Sequence, residues 1–577
     1  MAKFYTDEKN ALIIIALLKA NGIRKVVASP GTTNMALIGS MQFDSYFQVY
    51  SSVDERSAAY IACGLAYESG EPVVISCTGA TASRNYMPGL TEAYYRKLPV
   101  LAITSMQILS KVGHLVPQTL DRRVKPSDTN RFSVELPIVK DDDDWWECEV
   151  KVNEAILELK RAGGGPVHIN LPTLYSRSYN IKNLPNCRLI ERITQNDKMP
   201  SLRGKVAVLI GSHGRFSHDE TEALDKFCET NDAVVFCDHT SSYHGKYRVL
   251  YSIVASQDGR NLVDDRPDVT IYIGEVTGDY SSAGLVGNEV WRVSEDGEVR
   301  DTFRKLKYIF EMKEIEFFKK YTSSVDIVKN KYLNFCKKNV NELNSKIPEI
   351  PFSNIWIALN CSSKIPFGSV VHFGILNSLR SWNFFELPEG VTSMCNVGGF
   401  GIDGCLSTLI GASLITPDKL YFSVIGDLAF FYDMNVLGNR HVGNNLRILI
   451  INNGKGTEFK QYNHPAGQMG LDGDKFVAAA GHFGNKSTLL IKNYAEALGF
   501  KYLTASNKNE FRSVVEEFTS EIVNEPIVLE VFTDSELESK ALEMIRNIDQ
   551  KKSINVKKQL GSFLSKEKKQ FIKKIIK

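Results

Sequence analysis

Two polar residues that suit a divalent cation each follow an apolar segment in the last third of the sequence. Asp427 comes after the run Leu420–Ile425, and Asn453, 26 residues later, comes after the run Arg447–Asn452. A strand–helix–strand unit would bring both residues to the carboxyl ends of neighbouring parallel strands, where open α/β sheets bind ligands. With the backbone carbonyl of Lys455 they offer the oxygen ligands that Mg²⁺ prefers, and the ion would hold a diphosphate. A plain strand–helix–strand unit with polar loops has the same pattern.

A third candidate for chemistry, Glu55, stands in the first part of the chain. It opens a segment rich in small residues, 53–66 (VDERSAAYIACGLA), which predicts a closely packed helix with the carboxyl group in its first turn. Small apolar neighbours favour burial of that carboxyl group. A helix dipole alone also favours an acidic residue in the first turn, so a surface carboxylate is the alternative interpretation.

The elements that must position these residues alternate along the whole chain. Apolar, β-branched runs are separated by helical patterns, which is typical of parallel sheets covered by helices on both faces. Twelve runs are predicted as strands: Lys25–Ser29, Pro72–Cys77, Val100–Ser105, Pro166–Leu171, Lys205–Gly211, Ala233–Asp238, Val269–Gly274, Val290–Ser294, Ser369–Phe373, Leu420–Ile425, Arg447–Asn452 and Ile527–Val531. The sequence therefore predicts an α/β protein with three successive doubly wound parallel-sheet domains.

The domain limits follow from the breaks in this alternation. The expected domains are residues 1–180, 190–345 and 350–545, followed by a lysine-rich amphipathic tail at 546–577. A polar stretch at 178–204 is interpreted as a linker, and the charged region 301–346 as a long helical segment leading into the third domain. Residues 551–577 hold ten lysines and one acidic residue. A solvated or frayed helix is favoured there over a helix bound to an anionic membrane surface.

Composition is consistent with this plan. A chain of 577 residues is too long for one hydrophobic core. The net charge of +2 does not indicate a nucleic-acid partner. Ten cysteines stand singly without zinc-ligand spacing, as expected of a reduced, cytoplasmic protein. The first helix, expected to end at Gly22, lacks the features of a signal peptide. No run reaches the roughly 20 apolar residues that span a bilayer.

Together the segments around Glu55, Asp427 and Asn453 resemble the thiamine-diphosphate-dependent enzymes. In that family the aspartate after a strand and the second asparagine of an Asn-Asn pair hold the metal of the cofactor. Here the first motif reads Gly426–Asp427–Leu428. Family members often have Gly, Ala or Ser at its third position, so Leu428 departs from the pattern. The resemblance implies that these residues, with Asn453 and Lys455, bind thiamine diphosphate and Mg²⁺.

Three more segments resemble family segments in the expected order. They are SPGTTN (Ser29–Asn34), CTGATASRN (Cys77–Asn85) and GPVHINLP (Gly165–Pro172). The resemblance implies that Glu55 contacts a ring nitrogen of the cofactor's aminopyrimidine, and that Pro30, Thr78 and Asn85 lie near the cofactor. It also implies a pyrimidine-binding first domain, a central Rossmann-like domain and a diphosphate-binding third domain.

The nearest resemblance within the family is to the succinyl-enolpyruvyl-hydroxycyclohexene-carboxylate synthases of menaquinone biosynthesis. It is carried by NVGGFGIDG (Asn396–Gly404) with the YDMN segment Tyr432–Asn435, and it covers the chain to about residue 545. The resemblance implies that Gly399 lies at the cofactor and that Ile402 is the bulky side chain that bends it. A core isoleucine beside flexible glycines is the alternative.

Arginines that read substrate carboxylates in those synthases are missing here. Their positions correspond to Thr33, Gln107, Trp382 and Val397. Each lost charge-assisted contact is worth about 1.5–3 kcal/mol, which argues against a dicarboxylate donor and acceptor. We therefore do not expect the menaquinone activity itself. A smaller 2-oxo acid such as pyruvate and a less charged carbonyl acceptor fit better.

Further polar residues are candidates for the substrate pocket. Gln118 and His114 lie in a loop after the third strand, where family members place a substrate-facing glutamine; for His114 an ordinary surface position is the alternative. Asn34, Arg84, Lys455 and Glu458 are additional candidates. The turn GSHGRF (Gly211–Phe216) is a weak dinucleotide signal, better explained as a structural turn, so FAD is not expected.

The sequence thus predicts an enzyme that uses thiamine diphosphate and Mg²⁺ to decarboxylate a 2-oxo acid and join the acyl group to an acceptor carbonyl. A simple 2-oxo acid decarboxylase and a non-catalytic binding protein on the same fold are the alternatives. Because Glu55 and the metal motif stand in different domains, the resemblance implies a homodimer or homotetramer with the active site at the subunit interface.

Overall fold

The computed structural model describes residues 4–123, 125–322, 330–483 and 486–550, which form two units. The first unit holds the described residues up to Lys198 together with Asp296–Glu311. The second holds Met199–Glu295 together with the described residues from Met312 onward. The three-domain limits expected from the sequence stay a prediction. Most of the expected lysine-rich tail, residues 551–577, lies outside the described residues.

A six-stranded parallel sheet organises the first part of the chain. Its strands are β1 (Lys25–Ala28), β2 (Gln48–Ser51), β3 (Val73–Thr78), β4 (Val100–Met106), β5 (Phe132–Glu135) and β6 (Val167–Pro172). Its helices are α1 (Lys9–Ala20), α2 (Met35–Met41), α3 (Glu55–Ser69), α4 (Thr81–Asn85), α5 (Met87–Tyr95) and α6 (Asp142–Glu158). The strand order is β2-β1-β3-β4-β6-β5.

Helices cover both faces of this sheet. Val74 and Ile75 are neighbours in β3, yet they belong to two different buried cores. The first core includes side chains of α1 and α6, and the second includes side chains of α3 and α5. Successive residues of a strand point to opposite faces, so a strand buried on both sides is apolar throughout. This is why the inner strands read as continuous apolar runs.

The middle part of the chain contributes strands to both units. Its strands are β7 (Glu191–Thr194), β8 (Val206–Ile210), β9 (Val234–Cys237), β10 (Arg248–Leu250), β11 (Val269–Ile273), β12 (Glu289–Val293) and β13 (Leu306–Glu311). Its helices are α7 (His218–Asn231), α8 (Ser252–Ala255), α9 (Tyr280–Ala283), α10 (Glu314–Lys320) and α11 (Lys331–Ser345). Within the second unit the order is β10-β9-β8-β11-β12. Within the first unit, β13 and β7 pair in parallel.

The last part forms a second six-stranded parallel sheet with the order β15-β14-β16-β17-β19-β18. Its strands are β14 (Val370–Phe373), β15 (Thr392–Cys395), β16 (Tyr421–Gly426), β17 (Leu446–Asn452), β18 (Lys501–Ala505) and β19 (Ile527–Phe532). Its helices are α12 (Asn354–Cys361), α13 (Asn377–Trp382), α14 (Cys405–Ser413), α15 (Asp427–Asp433), α16 (Leu490–Ala497), α17 (Lys508–Phe518) and α18 (Ser535–Arg546).

The α/β class with parallel sheets, predicted from the sequence, is confirmed, and each of the twelve predicted strands is present. The first helix ends at Ala20, and Gly22 takes a positive φ of 72° just after it, as expected of a glycine that closes a helix. Among the described residues, no helix combines the length and the apolar character needed to cross a bilayer.

The prediction of one long helical segment at 301–346 is wrong. Leu306–Glu311 forms β13, and among the described residues of this region only those of α10 and α11 form α-helices. The charged residues suggested a solvated helix, but parallel pairing with β7 stabilises an extended conformation, since strand formation depends strongly on tertiary partners. For the same reason the predicted linker at 178–204 contains a strand, β7.

A buried carboxylate ties the start of the first unit to the segment after β6. The Glu8 side chain accepts hydrogen bonds from the Thr173 hydroxyl at 2.8 Å, the Leu174 amide at 3.1 Å and the Ser176 amide at 2.9 Å. Glu8 is only 7% exposed and Thr173 only 3%, so loss of the carboxylate leaves the buried Thr173 hydroxyl and two partly buried amides without their acceptor.

We expect Glu8→Ala to lower the free energy of unfolding by about 2–4 kcal/mol, because buried donors that lose their acceptor cannot reach water. Differential scanning calorimetry of the full chain measures this as a lower thermal midpoint. Glu71→Ala is the matched control, because Glu71 is an exposed partner of Lys25 and exposed pairs contribute about 0–1 kcal/mol. Equal midpoints for the two variants would contradict the structural role of Glu8.

Candidate active site

A cavity of about 200 Å³ lies in the second unit, at the carboxyl ends of adjacent strands of the last sheet. It is lined by Asn354, Gly374, Ile375, Leu376, Asn377, Ser378, Ile402, Gly426, Asp427, Leu428, Ala429, Ile451, Asn453, Lys455, Gly456, Thr457, Glu458, Phe459 and Glu538. The predicted metal ligands and the predicted bending residue therefore meet in one cavity. Strand pairing sets this arrangement, because β16 and β17 run in parallel with Gly426 opposite Ile451.

Asp427 is the first residue of α15, directly after β16, and is 4% exposed. Burial raises the pKa of its carboxyl group to about 7, and backbone amides of residues 427, 428, 453 and 454 only partly oppose this shift. A nearby cation would lower the pKa again, because it stabilises the charged form. The environment of the Asp427 carboxyl group therefore favours binding of a cation.

Asn453 supplies the second oxygen. Its Oδ1 atom is buried and has no hydrogen-bond partner among the described residues. The preceding residue shows the usual behaviour, since Asn452 donates from Nδ2 to Glu530 Oε1 at 2.6 Å. Buried amide oxygens are nearly always paired, so an unpaired one beside a buried carboxyl group fits a cation ligand. Gly454, with φ of 75°, allows the chain to turn sharply after Asn453.

Lys455 pairs its ammonium group with Asp474 at 2.8 Å, so its contribution to a cation would come from the backbone carbonyl. Within the described residues there is no group of three or more His, Cys, Asp or Glu side chains that could hold a metal ion. This agrees with a mixed set of one carboxylate, one amide oxygen and one backbone carbonyl. These donors fit Mg²⁺ bound to a diphosphate, whose oxygens and water would complete the shell.

Ile402 is partly buried, lines the cavity and packs against the core of the last sheet. Ile402 can therefore support a ligand and also belong to the core, so the two interpretations made from the sequence, a bending residue and a core isoleucine, are compatible. Gly399 does not line the cavity, although it stands in the same loop. A side chain at Gly399 or Gly426 would meet open space, so neither position needs a glycine for packing within this chain.

In the first unit the structure groups the residues predicted to face the pyrimidine ring. Glu55 begins α3, and Asn85 donates from Nδ2 to Glu55 Oε2 at 3.5 Å. Thr78 ends β3, and a side chain at Gly31, next to Pro30, would stand 1.9 Å from the Thr78 methyl group. Only a glycine fits between them. The expected burial of Glu55 is not found within one chain, where the residue is half-buried.

The loop residues predicted to face substrate lie on the surface of the first unit. His114 and Gln118 are both exposed, and Gln118 has a positive φ of 61°. For His114 this agrees with the surface alternative. Asn34 donates to the Ser29 carbonyl at 3.0 Å, and Arg84 donates to the Asp121 carbonyl at 3.0 Å, so both hold loops in place.

Comparisons with known proteins show the family of this chain. Residues 9–124 match the N-terminal TPP binding domain of thiamine pyrophosphate enzymes, and residues 379–531 match their C-terminal TPP binding domain.

Three relatives carry the name 2-succinyl-5-enolpyruvyl-6-hydroxy-3-cyclohexene-1-carboxylate synthase. The protein from Bacteroides fragilis is 31% identical over 571 residues, that from Bacteroides thetaiotaomicron 32% over 568, and that from Phocaeicola vulgatus 31% over 575. In each case 93% of this chain and 98% of the relative are covered.

This chain belongs to the thiamine diphosphate enzyme family. The matched domains contain Glu55 in the first and both Asp427 and Asn453 in the second. The resemblance seen in the sequence motifs is therefore confirmed for the family.

Three residues in or next to the cavity of this family member, Arg380, Leu376 and Glu538, were not predicted from the sequence. Arg380 in α13 makes two hydrogen bonds to Glu458, at 2.8 Å and 2.9 Å. Leu376 has φ of 67° and ψ of −117°, a conformation that a leucine rarely adopts. Strained residues of this kind concentrate at ligand sites. Glu538, whose pKa burial raises to about 7, accepts from the Asn354 amide at 2.9 Å and 3.0 Å.

The four residues at the missing arginine positions are held in other ways. Trp382 and Val397 are buried in the second unit, at 0% and 3% exposure. Thr33 donates to the Ser105 carbonyl at 2.8 Å, and Gln107 accepts from the Lys111 ammonium at 2.6 Å. The turn at Gly211–Phe216 carries His213, which pairs with Glu314 at 3.2 Å.

The raised pKa of Asp427 leads to a pH-dependent stability. Without metal or cofactor, the group ionises near pH 4 in the unfolded chain and near pH 7 in the folded chain. Its stabilising contribution is therefore full below about pH 4 and is lost as the pH rises to about 7, at about 1.4 kcal/mol per pH unit.

We expect Asp427→Asn to remove this loss. The thermal midpoint of the metal-free variant should exceed that of the wild type by a margin that widens from pH 5 to about pH 7 and is constant above. Adding Mg²⁺ with thiamine diphosphate should narrow the margin. Asp403→Asn, in the loop before α14, is a control that should show no such trend, and a margin independent of pH would refute the assignment.

Proposed function

We propose that this protein is a thiamine diphosphate- and Mg²⁺-dependent enzyme that decarboxylates a 2-oxo acid and joins the acyl group to an acceptor carbonyl. The proposal rests on one observation: the buried Asp427 carboxyl group lines the same cavity as Asn453, whose Oδ1 atom has no hydrogen-bond partner among the residues that the structure describes. Both oxygens suit the cation of a diphosphate cofactor. When bound, thiamine diphosphate supplies an electron sink for cleavage of the bond next to a carbonyl group.

The residues of this chain would have three tasks. Asp427, Asn453 and the Lys455 carbonyl would hold Mg²⁺ and through it the diphosphate. Ile402 would support the bent shape of the ligand from the cavity wall. The Glu55 carboxyl group would hold a proton at a ring nitrogen of the aminopyrimidine, with Asn85 positioning the carboxyl group through its side-chain amide.

The charges around the cavity favour a donor and an acceptor with little negative charge. Lys455 is the one cationic side chain among the described lining residues, and it pairs with Asp474, a carboxylate that Lys460 shares at 2.6 Å. Arg380, next to the cavity, pairs with Glu458. Both cations are therefore already engaged by carboxylates of the chain. A small donor such as pyruvate and an aldehyde or sugar acceptor fit these charges better than two dicarboxylates do.

We further propose a cytoplasmic homodimer or homotetramer in which the active site lies at a subunit interface. The outer faces of α3 and α5 expose Tyr60, Ile61, Tyr67 and Tyr95, each at least 43% accessible. Exposed apolar residues grouped in this way are typical of surfaces that bind another protein. The face lies on the helix that Glu55 begins, so a second copy docking there would also bury the half-exposed carboxyl group.

A screen of 2-oxo acids tests the function directly. With thiamine diphosphate and Mg²⁺ present, we expect CO₂ release from a small 2-oxo acid, and formation of a ligated product when an aldehyde is added. Release of free aldehyde that no acceptor diverts would favour the simple decarboxylase. Absence of saturable, Mg²⁺-dependent cofactor binding would favour a non-catalytic protein and contradict the proposal.

Two variants test the roles of the residues and the interface together. Glu55→Gln should keep cofactor binding and lower turnover by at least about 100-fold, because a positioned acid–base group contributes about that much. Asp427→Ala should fail to retain the cofactor even in excess Mg²⁺. Glu71→Gln, on the surface of the first unit, is the matched control and should behave as the wild type.

Mixing the two inactive variants decides where the active site is assembled. If each site takes Glu55 from one subunit and Asp427 from the other, a mixed dimer contains one intact site. Random exchange of equal amounts should then restore about one quarter of the wild-type activity. A site built within one chain predicts no recovery, and mixed subunits without activity would contradict the interface.

A further inference from the structure

A group of basic side chains is buried in the first unit, beneath the turn that follows β3. Arg122 and His168 are 3% and 2% exposed, and Lys125 is partly buried beside them. Arg122 and Lys125 belong to the loop after β4, whereas His168 stands in β6. Burial lowers the pKa of Arg122 to about 10, and it lowers the pKa of Lys125 to about 6, with help from the charges of Arg122 and Arg84.

The hydrogen bonds within this group involve only neutral partners. Arg122 donates to the hydroxyl and, at 3.4 Å, to the carbonyl of Thr104. His168 contacts Thr104 Oγ1 through Nε2 at 2.7 Å, and Lys125 Nζ lies against its Nδ1 atom. Burial and the nearby basic groups lower the pKa of His168 well below its usual value, so its ring is neutral and adds no charge to the group.

No acidic side chain among the described residues forms an ion pair with Arg122 or Lys125 within 4.0 Å. Glu135 is the acidic residue whose charge acts on Arg122, but only at longer range. The Nε atom of Arg122 is buried and has no hydrogen-bond partner among the described residues. A buried guanidinium group without an anionic partner is costly, so the arrangement requires a source of negative charge.

A small cavity adjoins these side chains. Its volume is about 20 Å³, and Arg84, Arg122, Lys125 and His168 are among the residues that line it. A cavity of this size holds one water molecule or one monatomic ion, and it is too small for a carboxylate substrate. We propose that it binds a small inorganic anion of the size of chloride, held by the Arg122 guanidinium group and by the N–H donors of Lys125 Nζ.

The site would connect two segments that the sequence assigns to cofactor and substrate. The Nη2 atom of Arg122 lies 3.1 Å from the position that a side chain at Gly79 would take. Arg122 thus packs under the turn between Thr78 and Asn85, and it belongs to the same loop as Gln118. An anion that fixes Arg122 would stabilise both segments in their present positions.

Thermal unfolding of the full chain in two salts tests the site. At equal ionic strength, chloride should raise the midpoint in a saturable way over gluconate, which is too large for the cavity. We expect a rise of about 2–4 °C, since an ion that binds only the folded state stabilises it. Equal midpoints in the two salts would overturn the proposal.

The variants separate this site from general salt effects. Arg122→Met should abolish the difference between chloride and gluconate. Arg123→Met is the matched control, because Arg123 is the exposed neighbour that pairs with Asp121, and it should keep the difference. A difference that persists in Arg122→Met would contradict the site.

A measurement on the wild type covers the case in which Arg122→Met does not fold. Crystals grown in bromide should show anomalous scattering from one ion in the cavity between Arg122 and Lys125. Density for water alone, without an anomalous signal, would overturn the proposal.

Discussion

The central constraint on the last sheet is electrostatic. A buried carboxyl group and a buried amide oxygen lie at the carboxyl ends of its strands, and both would be stabilised by a positive partner. Asp427 and Asn453 follow adjacent parallel strands, whose register places Gly426 opposite Ile451. Because the strands are hydrogen-bonded along their whole length, the two side chains cannot move apart without breaking the sheet. The sharp turn at Gly454 and the strained backbone at Leu376 surround the same cavity. The folded chain thus has unfavourable electrostatic free energy at this cavity, and a bound cation would lower it.

The parts of the fold that could be predicted from the sequence are those buried on both faces. In the first and last sheets the four predicted strands are the four inner ones, and the two strands without a signal are the two edges. Edge strands such as β2 and β15 are partly exposed, so their sequences need not be apolar. The strand β13 shows the limit most clearly, since its charged residues favour a helix and only pairing with β7 makes it extended.

In the candidate site, too, some residues could be predicted from the sequence and others could not. Asp427 and Asn453 were predictable because each comes directly after an apolar strand that has its own pattern, whereas the role expected of Ile402 came only from the resemblance of its glycine-rich loop to the family. Arg380 and Glu458 are 78 residues apart, and nothing in either segment indicates that they pair. The backbone strain at Leu376 has no signal either, because leucine is not a residue that favours positive φ. Contacts that depend on how loops meet at the end of a sheet require the folded structure.

Two buried charges in separate units follow the same physical rule with opposite signs. Burial raises the pKa of Asp427 and lowers the pKa of Arg122, so in each case the neutral form is favoured. A protein that needed only a stable core would gain from replacing either group by an apolar side chain. Both groups instead line a cavity, and beside each of them a buried polar atom has no hydrogen-bond partner in the described part of the chain: Asn453 Oδ1 near Asp427, and the Nε atom of Arg122 itself. A buried charged group that lines a cavity and has no oppositely charged partner among the described residues is best explained by a ligand of the opposite sign, because geometry and desolvation, rather than family membership, require one.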